Sequence, residues 1–373
     1  MWTSQHYVEQ GRAIGREDSL LERAVQQIEV VIDSNPHLPS VLSLNHLAQR
    51  TTIAYKCLRK YVTRAGNPYR HFLIRKHSGG MRRISIPELD LMNVQRWIAK
   101  HILNQVPVHK SSFAYSPDST IVKCAAKHCG AQWLIKIDVS GFFSSLSEIQ
   151  VYRVFRSLGY QRLISFEMAR ICTLAPEISP RYKLTNWQNR HHFKISAYDQ
   201  HGIGYLPQGA PTSPMLSNLI MRSLDEKITQ MSEKNGLRYS RYADDMAFST
   251  RSKKFDRSIA SKFIGNLKGL LISDGLYVNS KKTVISPPGA RKIILGLLVD
   301  GALPRLPRAF RDNLRQHLYY LENLGAIEHA RNRNFETVGG MKRHVRGLID
   351  FASMVDEAYG NLQMARFEKN VWP

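Results

Sequence analysis

Cysteine is scarce: four residues in 373 (Cys57, Cys124, Cys129 and Cys172), none in a CxxC pair. That argues against a disulfide scaffold and fits reduced thiols in a cytoplasmic protein. Cys124, His128 and Cys129 lie close in sequence, but a fourth ligand at a usual zinc spacing is missing. No apolar run is long enough to span a bilayer. The opening stretch, MWTSQHYVEQGRAIGRED, lacks the apolar core of a secretory leader. Repeats, low-complexity tracts and clear interdomain linkers are also missing. Acid is in short supply: 30 Asp and Glu stand against 53 Lys and Arg, a formal net charge of +23. The expected partner is a polyanion, nucleic acid before an anionic membrane surface.

What is present is a folded chain. The hydrophobic fraction of 43% is too high for disorder, and the length calls for two or three subdomains. Residues 18 to about 64 read as helical. SLLERAVQQIEVVIDS has helical apolar spacing, with Asp18 or Ser19 as its cap, and SLNHLAQRTTIAYKCLRKYV reads as two short helices capped by Ser43 or Asn45. These are either a helix-turn-helix or an accessory packing region; no basic recognition face is legible. HFLIRK and MRRISIP form two strands joined by the HSGG turn, a hairpin rich in Arg75, Lys76, Arg82 and Arg83, followed by a helix from about Asp90.

Against this basic background, two carboxylates stand side by side in RYADDMAF, residues 241–248. Asp-Asp pairs are common in turns. Here Tyr239, Tyr242, Met246 and Phe248 are good strand formers, so the stretch reads as a hairpin with acid at its tip. Two such charges repel each other unless a cation joins them, and Mg²⁺ prefers oxygen ligands. WLIKIDVSGFFSSL, residues 133–146, reads as an apolar strand ending at Asp138 and a turn at Ser140-Gly141. SPRYKLTNWQNRHHFK, residues 179–194, mixes base and aromatics, which suits either nucleic-acid contact or a solvated loop, with His191 and His192 as surface residues. In GIGYLPQGAPTSPMLSNLIMRSLDEKI a Gly/Pro-rich loop runs into a helix whose start favours phosphate or base. A helix and strand, a second short hairpin in KIILGLLVDGALPRLP, and basic helices from Ala309 onward complete the chain.

The order of these motifs resembles the reverse transcriptase family: a strand-borne Asp, a PQG loop feeding a helix, YADD, and a lysine in NSKKT, preceded by the hairpin IRKHSGGMRRISIP. The resemblance covers roughly residues 69–300, with a weaker helical match beyond. It is closest to the bacterial retron-type members, through YLPQGAPTSPMLSN. Two retron signatures depart from pattern. CAAKH keeps His128 but has Cys124 in place of Asn, and Ile294-Leu295-Gly296 stands where Val-Thr-Gly is usual.

The resemblance implies an α+β fold of right-hand polymerase architecture: fingers, a palm with an antiparallel sheet, and a helical thumb, with a helical N-terminal region. The implied division is 1–65 N-terminal helices, 66–135 fingers, 136–146 and 207–298 palm, 147–206 the connection between them, and 299–373 thumb. It implies RNA-directed DNA polymerisation with two Mg²⁺ ions held by Asp138, Asp244, Asp245 and the Val139 carbonyl. Lys282 would assist pyrophosphate departure, Lys281 being the alternative register. Arg82 and Lys76 would meet the triphosphate, Pro207, Gln208 and Gly209 would line the nucleotide pocket, and Phe143 would exclude a 2′-hydroxyl, Phe142 being the core residue. His128, Gly296, Lys342, Arg343 and Arg346 would contact RNA or primer. Implied partners are dNTPs, a cognate structured noncoding RNA, its single-stranded DNA product joined through a guanosine 2′-hydroxyl, and an effector or toxin protein in antiphage defence, with no membrane. Three alternatives stay open: a group II intron-like enzyme, an abortive-infection polymerase making untemplated DNA, and a catalytically silent RNA-binding scaffold.

Overall fold

The computed structural model describes residues 4–75, 79–117, 119–175 and 203–372. Lys76 and the basic segment 179–194, with His191 and His192, lie outside the described residues.

Helices α1 (Ser4–Ala13), α2 (Asp18–Ser34), α3 (Leu44–Thr51) and α4 (Tyr55–Thr63) open the chain. Ser43 caps α3, its side chain accepting from the His46 amide. At α2 the expected cap is displaced: Asp18 is the first helical residue and binds Arg12, while Glu17 holds the cap position without a side-chain bond. Leu47, Leu58 and Val62 sink α3 and α4 into the main core. The hairpin β1 (Tyr69–Arg75) and β2 (Met81–Pro87) follows, with Arg82 opposite Ile74, and then α5 (Leu89–His101) and α6 (Ile121–Ala126).

The centre is an antiparallel sheet. β3 (Trp133–Ser140) lies in its middle; α7 (Phe142–Ser145), α8 (Glu148–Ser157), α9 (Arg162–Cys172) and α10 (Ser213–Lys234) come next in the chain. β4 (Arg238–Tyr242) and β5 (Asp245–Thr250) form a hairpin whose β5 arm pairs with β3. After α11 (Arg257–Ser273), β6 (Tyr277–Val278) and β7 (Val284–Ser286) cover the other edge of β3. The strand does not end at Asp138: it continues to Ser140 because Val139 and Ser140 pair with Val278 and Tyr277.

The two-residue period of a strand divides this sheet. Ile135, Ile137 and Val139 of β3, with Tyr239, Met246 and Phe248, join the core that includes Leu224 and Ile228 of α10 and Phe263 and Leu267 of α11. Lys136 and Asp138 alternate with them and line a cleft on the other face, with Asp245. A short hairpin, β8 (Ile293–Ile294) and β9 (Leu297–Leu298), borders that cleft. Helices α12 (Arg308–Asn332), α13 (Val338–Val355) and α14 (Glu357–Glu368) build a second core around Leu314, Leu318, Met341, Val345 and Ile349. α12 kinks at Gly325, where φ is 77° and ψ 168°. Among the described residues no helix is long and apolar enough to cross a membrane.

Candidate active site

The acidic hairpin is tightly built. Tyr242 pairs with Asp245, which leaves Ala243-Asp244 as a two-residue turn, and Ala243 takes a left-handed φ of 56°. Asp138 sits directly across from Asp245 between β3 and β5. The Val139 amide donates to the Asp244 carbonyl at 3.1 Å, and the Asn279 amide donates to the Asp138 carbonyl at 2.8 Å. Asp138, Asp244 and Asp245 thus converge on a cleft of about 430 Å³ that Arg82, Lys136, Lys282, Ile294 and Leu295 also line.

The electrostatics record the crowding. Burial first, then Asp244 and Asp138, pushes the Asp245 carboxyl up to about 6. Asp244 is also raised, by burial first and by Asp138 among its neighbours. Lys282 Nζ donates to Asp138 Oδ1 at 2.7 Å, and that bond is the main cause of the ammonium's raised pKa. Lys282 rather than Lys281 therefore reaches the acids. Among the described residues no group of three or more His, Cys, Asp or Glu is gathered closely enough to hold a metal ion as it stands. Three all-oxygen donors that resist shared ionisation nevertheless suit a hard divalent cation. Lys282 supplies the positive charge at Asp138 in this arrangement.

The remaining predicted residues fall in distinct places. Gly209 has φ 115°, and a Cβ there would lie 2.9 Å from Ile84 Cγ2 and 3.0 Å from the Ser85 carbonyl. The adjacent Gln208 carbonyl accepts from the Ser85 amide at 2.8 Å, and the Pro207 carbonyl accepts from Ser213 Oγ at 2.6 Å. The PQG loop is thereby clamped between β2 and the start of α10; glycine is needed at this close approach. Phe142 is buried, while Phe143 is half-buried with its ring 6.4 Å from that of Tyr115. Gly296 follows Leu295 in the β8–β9 turn, with φ of 83° and 47°, the paired positive values of a tight hairpin. Lys342, Arg343 and Arg346 are exposed on α13; Lys342 Nζ lies 4.9 Å from the Trp372 ring centre, and Arg346 Nε lies 4.0 Å from Asp350.

His128 requires correction as an RNA contact. It is fully buried behind the hairpin, bonded at 2.7 Å to Ser240 Oγ of β4 and at 2.7 Å to Ser249 Oγ of β5. Burial lowers its pKa to about 3, so the ring is neutral and ties the two strands together. Cys124 is equally buried, with Sγ 3.4 Å from Ser240 Oγ, and Cys129 Sγ faces the Ala125 carbonyl. These thiols belong to the packing behind the hairpin.

Motif reading missed two features. Tyr115, with φ 59°, stands beside Phe143, and burial first and Asp244 next raise its pKa. Arg241, the first residue of the quoted motif, is wholly buried against the equally buried Asp225 of α10 at 2.6 Å. Removing one partner of such a pair costs about 3–5 kcal/mol. A signal was available: period 2 places Arg241 on the same inward face as Tyr239, where a charge demands a counter-charge.

Comparison with known proteins gives the context. A family profile described as reverse transcriptase (RNA-dependent DNA polymerase) matches residues 74–297. The Retron Ec86 reverse transcriptase of Escherichia coli is 31% identical over 331 residues, covering 87% of this chain and 93% of that protein. The Retron Mx162 reverse transcriptase of Myxococcus xanthus is 28% identical over 307 residues, covering 80% of this chain and 60% of that protein. The Retron Ec73 reverse transcriptase of Escherichia coli is 27% identical over 345 residues, covering 87% and 96%.

Proposed function

Because this chain belongs to the reverse transcriptase family as a retron-type RNA-directed DNA polymerase of right-hand architecture, we propose that it copies part of a cognate structured noncoding RNA into multicopy single-stranded DNA, primed from a guanosine 2′-hydroxyl. The carrying observation is the convergence of Asp138, Asp244, Asp245, Lys282 and Arg82 on one cleft.

In this reading Asp138, Asp244 and Asp245, with the Val139 carbonyl, are the groups that would hold two Mg²⁺ ions. Bound there, the ions would supply Lewis-acid stabilisation of the entering and leaving oxygens of nucleotidyl transfer. Arg82 holds the incoming triphosphate, with Lys76 as a further candidate beside it. Lys282 gives charge or a proton to the departing pyrophosphate. Pro207, Gln208 and Gly209 seat the nucleotide and template, and Phe143 closes the space a 2′-hydroxyl would need. Gly296 turns the hairpin that holds the primer end, while Lys342, Arg343 and Arg346 bind RNA phosphates. The proposal keeps the division into N-terminal helices, fingers, palm and thumb at the boundaries given above. The net charge of +23 supports an RNA partner. An effector or toxin protein, an antiphage role and a cytoplasmic setting complete the proposal.

The test is to express the chain with its neighbouring DNA and sequence any short single-stranded DNA that accumulates, beside an Asp244→Ala, Asp245→Ala variant. A discrete product templated by an adjacent RNA, absent from the variant, supports the reading. An untemplated product, or none, removes the retron product from the account.

A further inference from the structure

Arg241 uses all five of its guanidinium N–H donors in the dry interior. Nε and Nη2 grip the Asp225 carboxylate at 2.9 and 2.6 Å. Nη1 donates to Asn218 Oδ1 at 3.2 Å and to the Ala243 carbonyl at 3.1 Å. Nη2 also donates to Ser112 Oγ at 3.2 Å. Tyr239 donates its hydroxyl to Asp225 Oδ1 at 2.7 Å.

Two of these contacts lead toward the cleft. The Ala243 carbonyl belongs to the peptide that carries Asp244, and Ala243 is the left-handed residue of the turn. Asn218, which also accepts from Ser112 Oγ at 2.8 Å, donates Nδ2 to the Ala114 carbonyl at 2.7 Å. Ala114 precedes Tyr115, whose ring faces Phe143. The guanidinium carbon itself lies 5.9 Å from the Phe142 ring centre. One buried centre thus bonds the acid turn directly and reaches the Tyr115 segment through Asn218.

From this we infer that Arg241 and Asp225 are positioning residues for nucleotidyl transfer: the pair orients the Ala243–Asp244 peptide, and through Asn218 it sets the segment bearing Tyr115. The inference rests on the reading of Asp244 as a metal ligand. A buried ion pair is a poor way to gain stability, since apolar residues of similar volume often serve as well. What apolar residues cannot do is donate to the Ala243 carbonyl. A lysine keeps the charge but has three donors on a tetrahedral nitrogen and cannot reproduce the planar fork.

The experiment compares Arg241→Lys and the double variant Arg241→Met, Asp225→Leu with the parent chain and with Asp244→Ala. Single-nucleotide extension on an RNA template gives kcat, the dNTP KM and the Mg²⁺ concentration for half-maximal rate; melting and RNA affinity are measured alongside. The expected double variant stays folded at the assay temperature and binds RNA like the parent, yet its kcat falls about 10–100-fold and its Mg²⁺ requirement rises, the scale of a lost partner behind a metal ligand. Arg241→Lys shows the same split between kcat and RNA affinity. Parental kcat and Mg²⁺ requirement in a folded double variant overturn the inference. So does an activity loss in both variants that only tracks their folded fraction. If Asp244→Ala itself retains parental activity, the metal-ligand reading has failed; if it is inactive while the double variant is active, only the positioning role has failed.

Discussion

Lys282 Nζ lies 2.7 Å from Asp138 Oδ1, so an ammonium from the loop after β6 neutralises a carboxylate on the central strand. The same carboxylate is needed for a divalent ion in the proposed chemistry. Lys282→Met should therefore bind Mg²⁺ more tightly in the absence of nucleotide while slowing incorporation by about 10²-fold, the usual scale of a lost proton donor. Titration calorimetry and single-turnover extension read the two effects. Unchanged Mg²⁺ affinity together with an unchanged rate would remove both roles.

Acid should weaken metal binding in a defined window. Asp245 is held at about 6, above its ordinary 3.8, so below pH 6 a proton increasingly occupies the group a cation needs. In the metal-free protein this raised carboxyl is unfavourable above pH 6, and the penalty is relieved as pH falls toward its unfolded value. The rise in melting temperature caused by Mg²⁺ should then be large at pH 7.5 and small at pH 5. A Mg²⁺-induced rise of equal size at both values would contradict the assignment.

Phe143 should govern sugar selection. It is half-buried, with its ring 5.5 Å from that of Phe142 and 6.4 Å from that of Tyr115. Phe143→Ala should reduce the preference for dNTP over rNTP by on the order of tenfold to a hundredfold, with RNA affinity intact. Competition between a dNTP and its ribonucleotide in extension assays measures this ratio; an unchanged ratio would return Phe143 to a packing role.

His128 should matter to stability and leave RNA affinity alone. His128→Ala removes the ring bonded to Ser240 and Ser249 and should cost about 1–3 kcal/mol. Because burial depresses its pKa to about 3, the unfolded chain takes a proton the native ring refuses as pH drops below 6.5. Native stability at this site is therefore lost on acidification, and the variant should lack that component. Denaturant melts between pH 5 and 7.5, paired with RNA binding, test the point; weaker RNA affinity without loss of stability would restore the contact role.

The contrast between His128 and Asp244 shows what the sequence could and could not convey. The hairpin, the central strand and the basic β1–β2 ribbon were legible because their apolar period and turn residues are local. The register that sets Asp138 opposite Asp245 depends on β3 and β5 meeting across more than a hundred residues, and local pattern does not fix such a pairing. A motif gives proximity in sequence without burial, so CAAKH does not reveal that His128 lies inside. Arg241 is hard to see in the sequence because a charged side chain is ordinarily exposed. Lys282 was separable from Lys281 only once the 3₁₀ turn Ser280–Lys282 had oriented them.

The most direct measurement is single-nucleotide primer extension on an RNA template by Asp138→Asn, Asp244→Asn and Asp245→Asn, with RNA affinity and melting measured on the same samples. Each change keeps side-chain shape and removes a charge from the cleft. The expected result is folded, RNA-binding proteins whose extension falls by at least about 10²–10³-fold. Extension at the parental rate by any one of the three would contradict the claim that these carboxylates jointly carry the chemistry.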